Sequence, residues 1–474
     1  MLGFGELCMK INEIFLKMLL TIFFVTLIVS LSQTLMISAV DTTYSTLIPE
    51  NAKHIQTAAQ LADIGGIKSA GEYYVLDNDI NLVDEWVPIE DFSGTFDGQG
   101  YSINNLYVLK SSNRENAGLF GTVINVVTIK NVGVNINSNG VTASSSSGYT
   151  SAGGLVGRIS GSISCSISVM NCYVTGDVTA TSTNSIGYAC AGGLLGMSDI
   201  YSSSIDITNC YVVGDVTATS PGYVYTGGLV GASCSVYVGK CSVVGDVTAT
   251  SPSGYAYAGG LVGGGDNGTV ENCYVVGDVT AVSSASVVYA GGLIGSGPSL
   301  VNIRNCYVVG DVTATSRFGR AYAGDLIGSD RRDNYVSHSY FLFDQTVNGG
   351  TLSYVGESLS SDAMKNQQSF IGWDFENIWA INSNTNGGYP YLRGLIANNG
   401  NGSLETTTPQ SDGDDSSFLS DQSTPSTGSN SSSGDGQLGG FRLLLFVVVV
   451  GVIWAIIGVC ILLLRKRKTG VTVV

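Results

Sequence analysis

The sequence predicts an all-β chain that folds as a parallel β-helix, or β-solenoid, of about seven coils. The first observation is a repeated Gly-Gly-Leu-Val-Gly block, or a close variant of it, at residues 153–157, 192–196, 227–231, 259–263, 291–295 and 324–328. The second is Asn-Cys-Tyr-Val between those blocks, at residues 171–174, 209–212, 272–275 and 305–308. Successive blocks lie 32 to 39 residues apart, and a period of this length indicates a solenoid or a propeller.

Each repeat unit contains three short strand-like runs. They are rich in Val, Thr, Tyr and Ile, and their apolar residues alternate with period two, which favours strands over helices. In Cys172-Tyr173-Val174, for example, the Cys and Val side chains point to one face and the Tyr ring to the other. Three strands per unit make one coil of a parallel β-helix, whereas a propeller blade needs four antiparallel strands.

The N-terminal segment is predicted to direct export. No charged residue occurs from residue 18 to residue 40, and Lys10 and Lys17 precede this apolar run. A basic start followed by an apolar run and small residues is typical of a secretory signal peptide. We therefore predict a signal peptide over residues 1–39, with an uncleaved N-terminal anchor as the alternative.

The C-terminal segment is predicted to hold the protein in a membrane. Residues 443–464 carry no charge, and this length of apolar helix spans a bilayer. A transmembrane helix is predicted over residues 441–464. The basic run at residues 465–468 places the tail, residues 465–474, in the cytoplasm. The predicted location is the cell membrane, with a single span and an extracellular ectodomain.

Four regions are predicted between these two segments. Residues 40–116 form an N-terminal cap and the first coils, and residues 117–345 form the repeats. Residues 346–396 form a C-terminal cap, whose aromatic residues are expected to plug the last coil because an open coil exposes unpaired strand edges. Residues 397–440 consist mainly of Ser, Thr, Gly, Asn and Asp, a composition that predicts a disordered stalk.

The ectodomain is strongly acidic. Residues 41–440 contain 14 Lys and Arg against 35 Asp and Glu, a net charge of −21. Contacts with phosphate need a basic surface, so no nucleic-acid partner is predicted. An acidic exterior suits solubility, cation binding or a basic partner.

Two repeated positions are candidate binding sites. Outward tyrosines are expected to stack into an aromatic ridge that binds glycans or proteins, with ordinary cross-strand packing as the alternative: Tyr173, Tyr211, Tyr274 and Tyr307. Turn aspartates are expected to stack into a column that could bind calcium: Asp177, Asp215, Asp246, Asp278 and Asp311. The alternative is that these carboxylates accept hydrogen bonds from nearby backbone amides. No cofactor other than calcium is predicted.

A third column consists of cysteines. Its members are Cys172, Cys210, Cys241, Cys273 and Cys306. Their Cβ atoms would lie about 4.8 Å apart on parallel vectors, which is longer than a relaxed disulfide allows. We expect buried free thiols, with local disulfides from Cys165 or Cys234 to a column cysteine left open.

These motifs, in this order, resemble the GLUG repeat of bacterial and archaeal surface proteins. Residues 73–82, 92–100 and 118–121 are similar to the usual lead-in of that family, and residues 370–375 and 388–392 to its usual close. The resemblance implies an extracellular, adhesin-like protein with a β-helical body. It supplies no catalytic residue. A His-Glu-x-x-His zinc-peptidase motif is absent from the sequence, which has only two histidines.

The sequence therefore predicts a non-enzymatic, adhesin-like or envelope-structural protein. The alternative is a polysaccharide lyase or hydrolase on a β-helix, whose site we would seek where the repeat decays, from Asp325 to Asp333. Such an enzyme needs carboxylates at a working separation. Ice binding by the Thr-Ala-Thr triplets, such as Thr179–Thr181, is a minor alternative.

Overall fold

In the computed structural model, the chain winds as successive coils of short strands. The structure describes residues 48–109, 115–146, 148–161, 166–199, 204–296, 301–329 and 334–395. In one coil the chain passes through sheet A, then through sheet B on both sides of the Gly-Asp turn, and then through sheet C. The Gly-Gly-Leu-Val-Gly block leads back to sheet A. The described chain is all-β with parallel strands in stacked sheets, as in a parallel β-helix.

Within the described residues, three parallel sheets contain almost all of the strands. The 14 strands of sheet A are Lys53–Ile55, Glu72–Leu76, Gly94–Asp97, Phe120–Val123, Val126–Lys130, Val156–Ile159, Ser166–Met170, Leu195–Ser198, Ser204–Thr208, Val230–Gly239, Val262–Glu271, Ile294–Ser296, Val301–Arg304 and Tyr335–Ser337. The 16 strands of sheet B are Ile80–Asn81, Ser102–Val108, Gly133–Ser145, Tyr173–Thr175, Val178–Ser182, Tyr211–Val213, Val216–Thr219, Ser242–Val244, Val247–Ser251, Tyr274–Val276, Val279–Ser283, Tyr307–Val309, Val312–Ser316, Tyr340–Leu342, Val347–Asn348 and Glu357–Leu359. The 8 strands of sheet C are Asn116–Ala117, Tyr149–Gly153, Tyr188–Gly192, Tyr223–Gly227, Ala256–Gly259, Val288–Gly291, Ala321–Gly324 and Thr351–Ser353.

The remaining elements are short. Trp379–Ala380 pairs with Tyr391–Leu392 in an antiparallel sheet. The helices are Ala58–Ala62 and Ser361–Met364, with 3₁₀ turns at Ile67–Ser69, Gln367–Ser369 and Asn386–Gly388. Within the described residues no helix is long and apolar enough to cross a membrane. The predicted signal peptide, stalk and transmembrane helix lie outside the described residues.

The inward side chains form one continuous apolar core. In one coil these are Cys172 and Val174 before the Gly-Asp turn, Val178 and Ala180 after it, and Leu155 from the Gly-Gly-Leu-Val-Gly block, each at most 1% exposed. The equivalent residues of neighbouring coils pair in register, so each position forms a column. The inward faces expected from the period-two alternation are confirmed at these positions.

The five column cysteines are buried free thiols. Each Sγ donates to the carbonyl oxygen two residues earlier in the chain, as Cys172 does to Met170 at 3.2 Å. Burial raises the pKa of the Cys172 and Cys210 thiols well above the usual value. The Cys241 thiol is among the five free thiols, so Cys234 forms no disulfide with Cys241. Cys165 lies outside the described residues.

Alkylation should distinguish these thiols. We expect iodoacetamide to modify the half-buried Cys234 under native conditions and the five column cysteines only after unfolding. The reason is that the thiolate is the reactive form, and burial disfavours both the thiolate and access to it. Peptide-resolved mass spectrometry over a time course measures each rate. Column peptides that react as fast as the Cys234 peptide in the folded protein would contradict this arrangement.

The residue before each column cysteine adopts a left-handed backbone conformation. Its φ is 51–54° at Asn171, Asn209, Lys240, Asn272 and Asn305. Asn tolerates this conformation better than most residues, and its amide also bonds from coil to coil. Asn209 donates to Asn171 at 3.2 Å, and Asn305 donates to Asn272 at 3.3 Å. Lys240 interrupts this ladder between Asn209 and Asn272.

An asparagine at position 240, where Lys240 interrupts the asparagine ladder, should stabilise the protein. We expect Lys240→Asn to raise the free energy of unfolding by about 1 kcal/mol, because it relieves the left-handed strain and adds a hydrogen bond between coils. Thermal melts followed by circular dichroism measure the change. Lys240→Gly is the matched control, since it relieves the strain without adding an amide. Equal gains from both variants would show that the ladder contributes nothing.

The glycines of the Gly-Gly-Leu-Val-Gly block lie where neighbouring coils approach most closely. A Cβ on Gly228 would lie within 2.6 Å of Val243 Cγ1 and nearer still to the carbonyl oxygen of Gly260. The φ of Gly228 is not in the left-handed region. Glycine is therefore required at this position for close backbone approach, while Leu229 fills the core.

The C-terminal cap does not plug the last coil as expected. Trp379 contacts the rings of Tyr274 and Tyr307, with centroids 6.2 Å apart in both cases. Phe370 and Trp373 pack on Tyr340, one coil further along. These contacts extend over successive coils, so residues 361–395 lie along the outer face of sheet B. Apolar rings on that face provide more surface to bury than the edge of one coil. The earlier part of the predicted cap, residues 347–359, still forms strands of sheets B and C.

Candidate functional site

The tyrosines predicted to form an exposed ridge are buried. Tyr173, Tyr211, Tyr274 and Tyr307 point outward from sheet B but are only 0–3% exposed. They belong to one apolar cluster with Trp373, Trp379 and Leu392 of the C-terminal cap. The Tyr307 hydroxyl donates to the carbonyl oxygen of Pro390 at 2.6 Å. The prediction of an exposed ridge is wrong, because the cap covers this face of sheet B.

The predicted aspartate column forms a hydrogen-bonded ladder. Asp177 Oδ1 accepts from the backbone N–H of Asp215 at 3.0 Å, and Asp215 Oδ1 accepts from that of Asp246 at 2.9 Å. The pattern continues until Asp311 Oδ1 accepts from Thr346. One oxygen of each carboxylate therefore has a backbone partner. No group of three or more His, Cys, Asp or Glu side chains among the described residues could hold a metal ion. Calcium binding stays a prediction.

Sheet C carries two columns of stacked tyrosines, which we call the tyrosine face. The first column is Tyr149, Tyr188, Tyr223 and Tyr255, and the second is Tyr225, Tyr257, Tyr289 and Tyr322. Neighbouring centroids within each column are 4.6–5.3 Å apart and the ring planes lie within 13° of each other. Tyr149 is 46% exposed and the other seven are half-buried. This is a continuous aromatic surface that the cap does not cover.

Sequence reasoning missed the tyrosine face although a signal was present. Gly-Tyr precedes four of the Gly-Gly-Leu-Val-Gly blocks, and its tyrosine always lies four residues before the block, as at Gly222-Tyr223. Period-two alternation from the inward Val224 places Tyr223 and Tyr225 outward, as the structure shows. The tyrosines of the Asn-Cys-Tyr-Val motifs are the more regular set in the sequence. Their burial depends on the C-terminal cap, which is distant in the chain.

Outward side chains of sheets C and A face each other across the corner formed by the Gly-Gly-Leu-Val-Gly blocks. Along sheet A, one outward position holds in turn Arg158, Met197, Ala232 and Gly264. Along sheet C, the facing position holds in turn Ser151, Cys190, Tyr225 and Tyr257. Large residues on one sheet therefore accompany small residues on the other. A Cβ on Gly264 would lie 2.5 Å from Tyr225 Cδ1, so the ring needs glycine there.

A recess of about 460 Å³ opens where the second tyrosine column begins. Its lining includes Tyr149, Tyr188, Tyr225, Cys190, Arg158 and Asp199. The Arg158 guanidinium pairs with Asp199 and lies 5.6 Å from the centroid of the Tyr149 ring. Burial raises the pKa of the Cys190 thiol to about 12, so this thiol is neutral at physiological pH. The recess thus combines aromatic surface with one ion pair.

Comparison with known proteins identifies the repeat. The family model of the GLUG motif matches residues 148–179 and 254–280. Each matched segment begins one residue before a tyrosine of the tyrosine face, passes through the corner glycines and the Asn-Cys turn, and ends after the Gly-Asp turn. The chain contains GLUG-motif repeats at these two segments. Each match is therefore one coil of the solenoid.

Two solved structures share some likeness with this GLUG-repeat protein. One is a Bacteroides ovatus protein provisionally described as an immunoglobulin A1 protease, with 20% identity and a TM-score of 0.43 over 72% of this chain and 91% of that one. The other is the L. reuteri 53608 SRRP, with 13% identity and a TM-score of 0.25 over 64% of this chain and 99% of that one. Both scores are low, and neither likeness bears on function. A search of curated proteins gave no match.

The region considered for an enzymatic site contains a structural carboxylate. Asp325 replaces the second glycine of the last block and is fully buried. Its oxygens accept from the backbone N–H groups of Leu326, Val355 and Gly356 at 2.8–3.0 Å. Burial raises its pKa, against these hydrogen bonds. Asp325 therefore ties the last coils together, and residues 330–333 lie outside the described residues.

A second polar cluster of the GLUG-repeat protein lies on the outer face of sheet A. Glu271 accepts from the Tyr237 hydroxyl and pairs with Arg304. Burial, followed by the bond to Glu271, raises the pKa of Tyr237. Burial also raises the pKa of Asp206, which pairs in register with Tyr237. Sequence reasoning missed this cluster because its members come from different coils and the residue type at each of these positions changes from coil to coil.

Proposed function

We propose that this GLUG-repeat protein is a non-enzymatic, adhesin-like protein of the cell surface that binds glycans through the tyrosine face. The observation that carries the proposal is the alignment of eight partly exposed tyrosines on one sheet, beside the corner with sheet A. Extended exposed aromatic surface marks an interaction site. Tyr combines an apolar ring with a hydroxyl that can bond to a polar ligand, and sugars present both kinds of surface.

Location and charge support the same proposal. A signal peptide over residues 1–39 and a membrane helix over residues 441–464 would place the tyrosine face outside the cell on a single membrane anchor. The net charge of −21 over residues 41–440 favours neutral or basic ligands over anionic ones. A surface protein with a basic or aromatic patch is the alternative partner for the same face.

Binding assays with the full-length protein in detergent micelles test the proposal. The protein is applied to a glycan array and to whole-envelope preparations, with and without a calcium chelator, and released sugar is assayed in the same wells. We expect saturable binding without sugar release. Release would instead identify a polysaccharide lyase or hydrolase. Loss of binding in chelator would support calcium at the aspartate column.

Variants locate the binding surface. Tyr223→Ala combined with Tyr257→Ala should weaken glycan binding about tenfold or more, since each removes an aromatic contact of roughly 0.5–1.5 kcal/mol. Thr248→Ala is the control, because Thr248 is a partly exposed strand residue on sheet B. Full affinity in the double tyrosine variant would contradict the assignment to the tyrosine face.

A further inference from the structure

The second tyrosine column ends in a ring face that no other ring covers. Tyr225 stacks on Tyr257 with centroids 4.6 Å apart and an interplanar angle of 3°. On its opposite side the residue in register is Cys190, whose side chain is too small to cover an aromatic ring. Among the described residues no further ring stacks on Tyr225. This side of the Tyr225 ring borders the recess between sheets C and A, whose lining also includes the Met197 side chain.

Polar groups complete this recess on the side of sheet A. Arg158 Nε and one terminal nitrogen both bond to Asp199 Oδ2, and the two side chains are each 25% exposed. A guanidinium has five N–H donors, so donors remain for a ligand. No donor among the described residues bonds to Asp199 Oδ1, which leaves one carboxylate oxygen to accept. Donor and acceptor therefore stand side by side next to an aromatic face.

We propose that this recess is a subsite for one neutral pyranose unit of a glycan. The C–H face of the sugar stacks on Tyr225, and two neighbouring hydroxyls bond to Arg158 and Asp199. This assignment rests on the proposed glycan-binding function and adds the position and the ligand class. The Arg158–Asp199 ion pair has no net charge, and the Cys190 thiol is neutral. The recess therefore has no unpaired cation that would bind the carboxylate of an acidic sugar. Its volume of about 460 Å³ lies within the usual range for small-ligand sites.

Calorimetry with the full-length protein in detergent micelles tests the subsite. The probes are tetrasaccharides derived from mannan, galactan and β-glucan, with a galacturonate tetrasaccharide as the acidic comparison. Tyr225→Ala should weaken binding of the best neutral probe about 10- to 100-fold, since it removes the stacking face. Asp199→Asn should weaken it about tenfold, because a hydrogen bond to a charged acceptor is lost. Tyr225→Phe should retain most of the affinity.

Two further variants separate the subsite from general damage to the fold. Tyr335→Ala removes a ring of sheet A that is 63% exposed and lies outside both the tyrosine face and the recess, and should leave affinity within about twofold. Cys190→Tyr combined with Met197→Ala, which gives the facing position of sheet A the small residue found beside Tyr225, extends the second column by one ring, covers Tyr225 and should abolish binding while the melting temperature is kept. Binding that survives both in Tyr225→Ala and in the variant that carries Cys190→Tyr would overturn the subsite.

The outcomes also separate this inference from the proposed function. In one outcome, glycan binding is lost in the Tyr223 and Tyr257 double variant but kept in Tyr225→Ala and in the variant that carries Cys190→Tyr. This outcome would overturn the subsite, while the proposal that the tyrosine face binds glycans would stand. Preference for the galacturonate probe would overturn the neutral ligand class. No binding of any probe, on the array or in solution, would overturn both proposals.

Discussion

Gly228→Ala is expected to lower the free energy of unfolding by about 3 kcal/mol or more, the upper range for overpacking a close contact. The added methyl group would meet the backbone of Gly260 and lie 2.6 Å from Val243 Cγ1. Both belong to the packed interior between coils, and neither is the end of a flexible side chain. The coils would have to separate locally, which weakens the parallel hydrogen bonds on both sides of the corner. Thermal and urea unfolding followed by circular dichroism measure the loss.

Gly268→Ala is the matched control for this experiment. Gly268 lies in the Val262–Glu271 strand of sheet A, and the nearest atom to an added Cβ is the carbonyl oxygen of Val236 at 3.4 Å. That is an ordinary van der Waals contact, so the control should change the free energy of unfolding by less than about 1 kcal/mol. If the two variants were equally stable, close backbone approach would not explain the repeated glycines.

Trp379→Ala is expected to destabilise the docked C-terminal cap by about 3–5 kcal/mol, the usual cost of truncating a buried Trp. The Trp379 side chain is fully buried, contacts Tyr274 and Tyr307, and its indole N–H donates to Asn272 Oδ1 at 3.4 Å. Loss of the ring leaves a cavity between cap and solenoid. The variant should therefore expose the tyrosines of sheet B, which acrylamide quenching of their fluorescence would detect.

Ile371→Ala is the control within the same cap. Ile371 is 69% exposed, so its truncation should change stability by less than about 0.5 kcal/mol. Sheet B tyrosines that stay protected in Trp379→Ala, with unchanged unfolding, would contradict the role assigned to the cap. If Trp379→Ala gained glycan binding, the tyrosines of sheet B would form a binding ridge once the cap is undocked.

Local patterns predicted the parts of the fold that depend on neighbouring residues. The alternation in Cys172-Tyr173-Val174 identified which side chains point inward, and the repeat period identified one coil per unit. Both follow from the geometry of a strand and need no knowledge of the rest of the chain. The turn at Asp177 was also anticipated in part, because hydrogen bonding to backbone amides was the stated alternative to calcium.

Long-range packing accounts for what the sequence did not predict. Trp379 and Asn272 are 107 residues apart, and no local pattern shows that the cap covers the outer tyrosines of sheet B. The recess depends on Cys190 where later coils have Tyr, facing Arg158 and Asp199 from another sheet. Such a site forms where the repeat is broken, so the regular columns that stand out in the sequence do not reveal it.

Hydroxyl-radical footprinting of the full-length protein, with and without a bound glycan, tests the central claim most directly. The account predicts that glycan protects the peptides carrying Tyr188, Tyr223, Tyr225 and Tyr257, while the exposed Phe318 and Ile371 react at unchanged rates. Peptide-resolved mass spectrometry gives each rate separately. Protection confined to other surfaces, or unchanged oxidation of the tyrosine face at saturating glycan, would contradict the account.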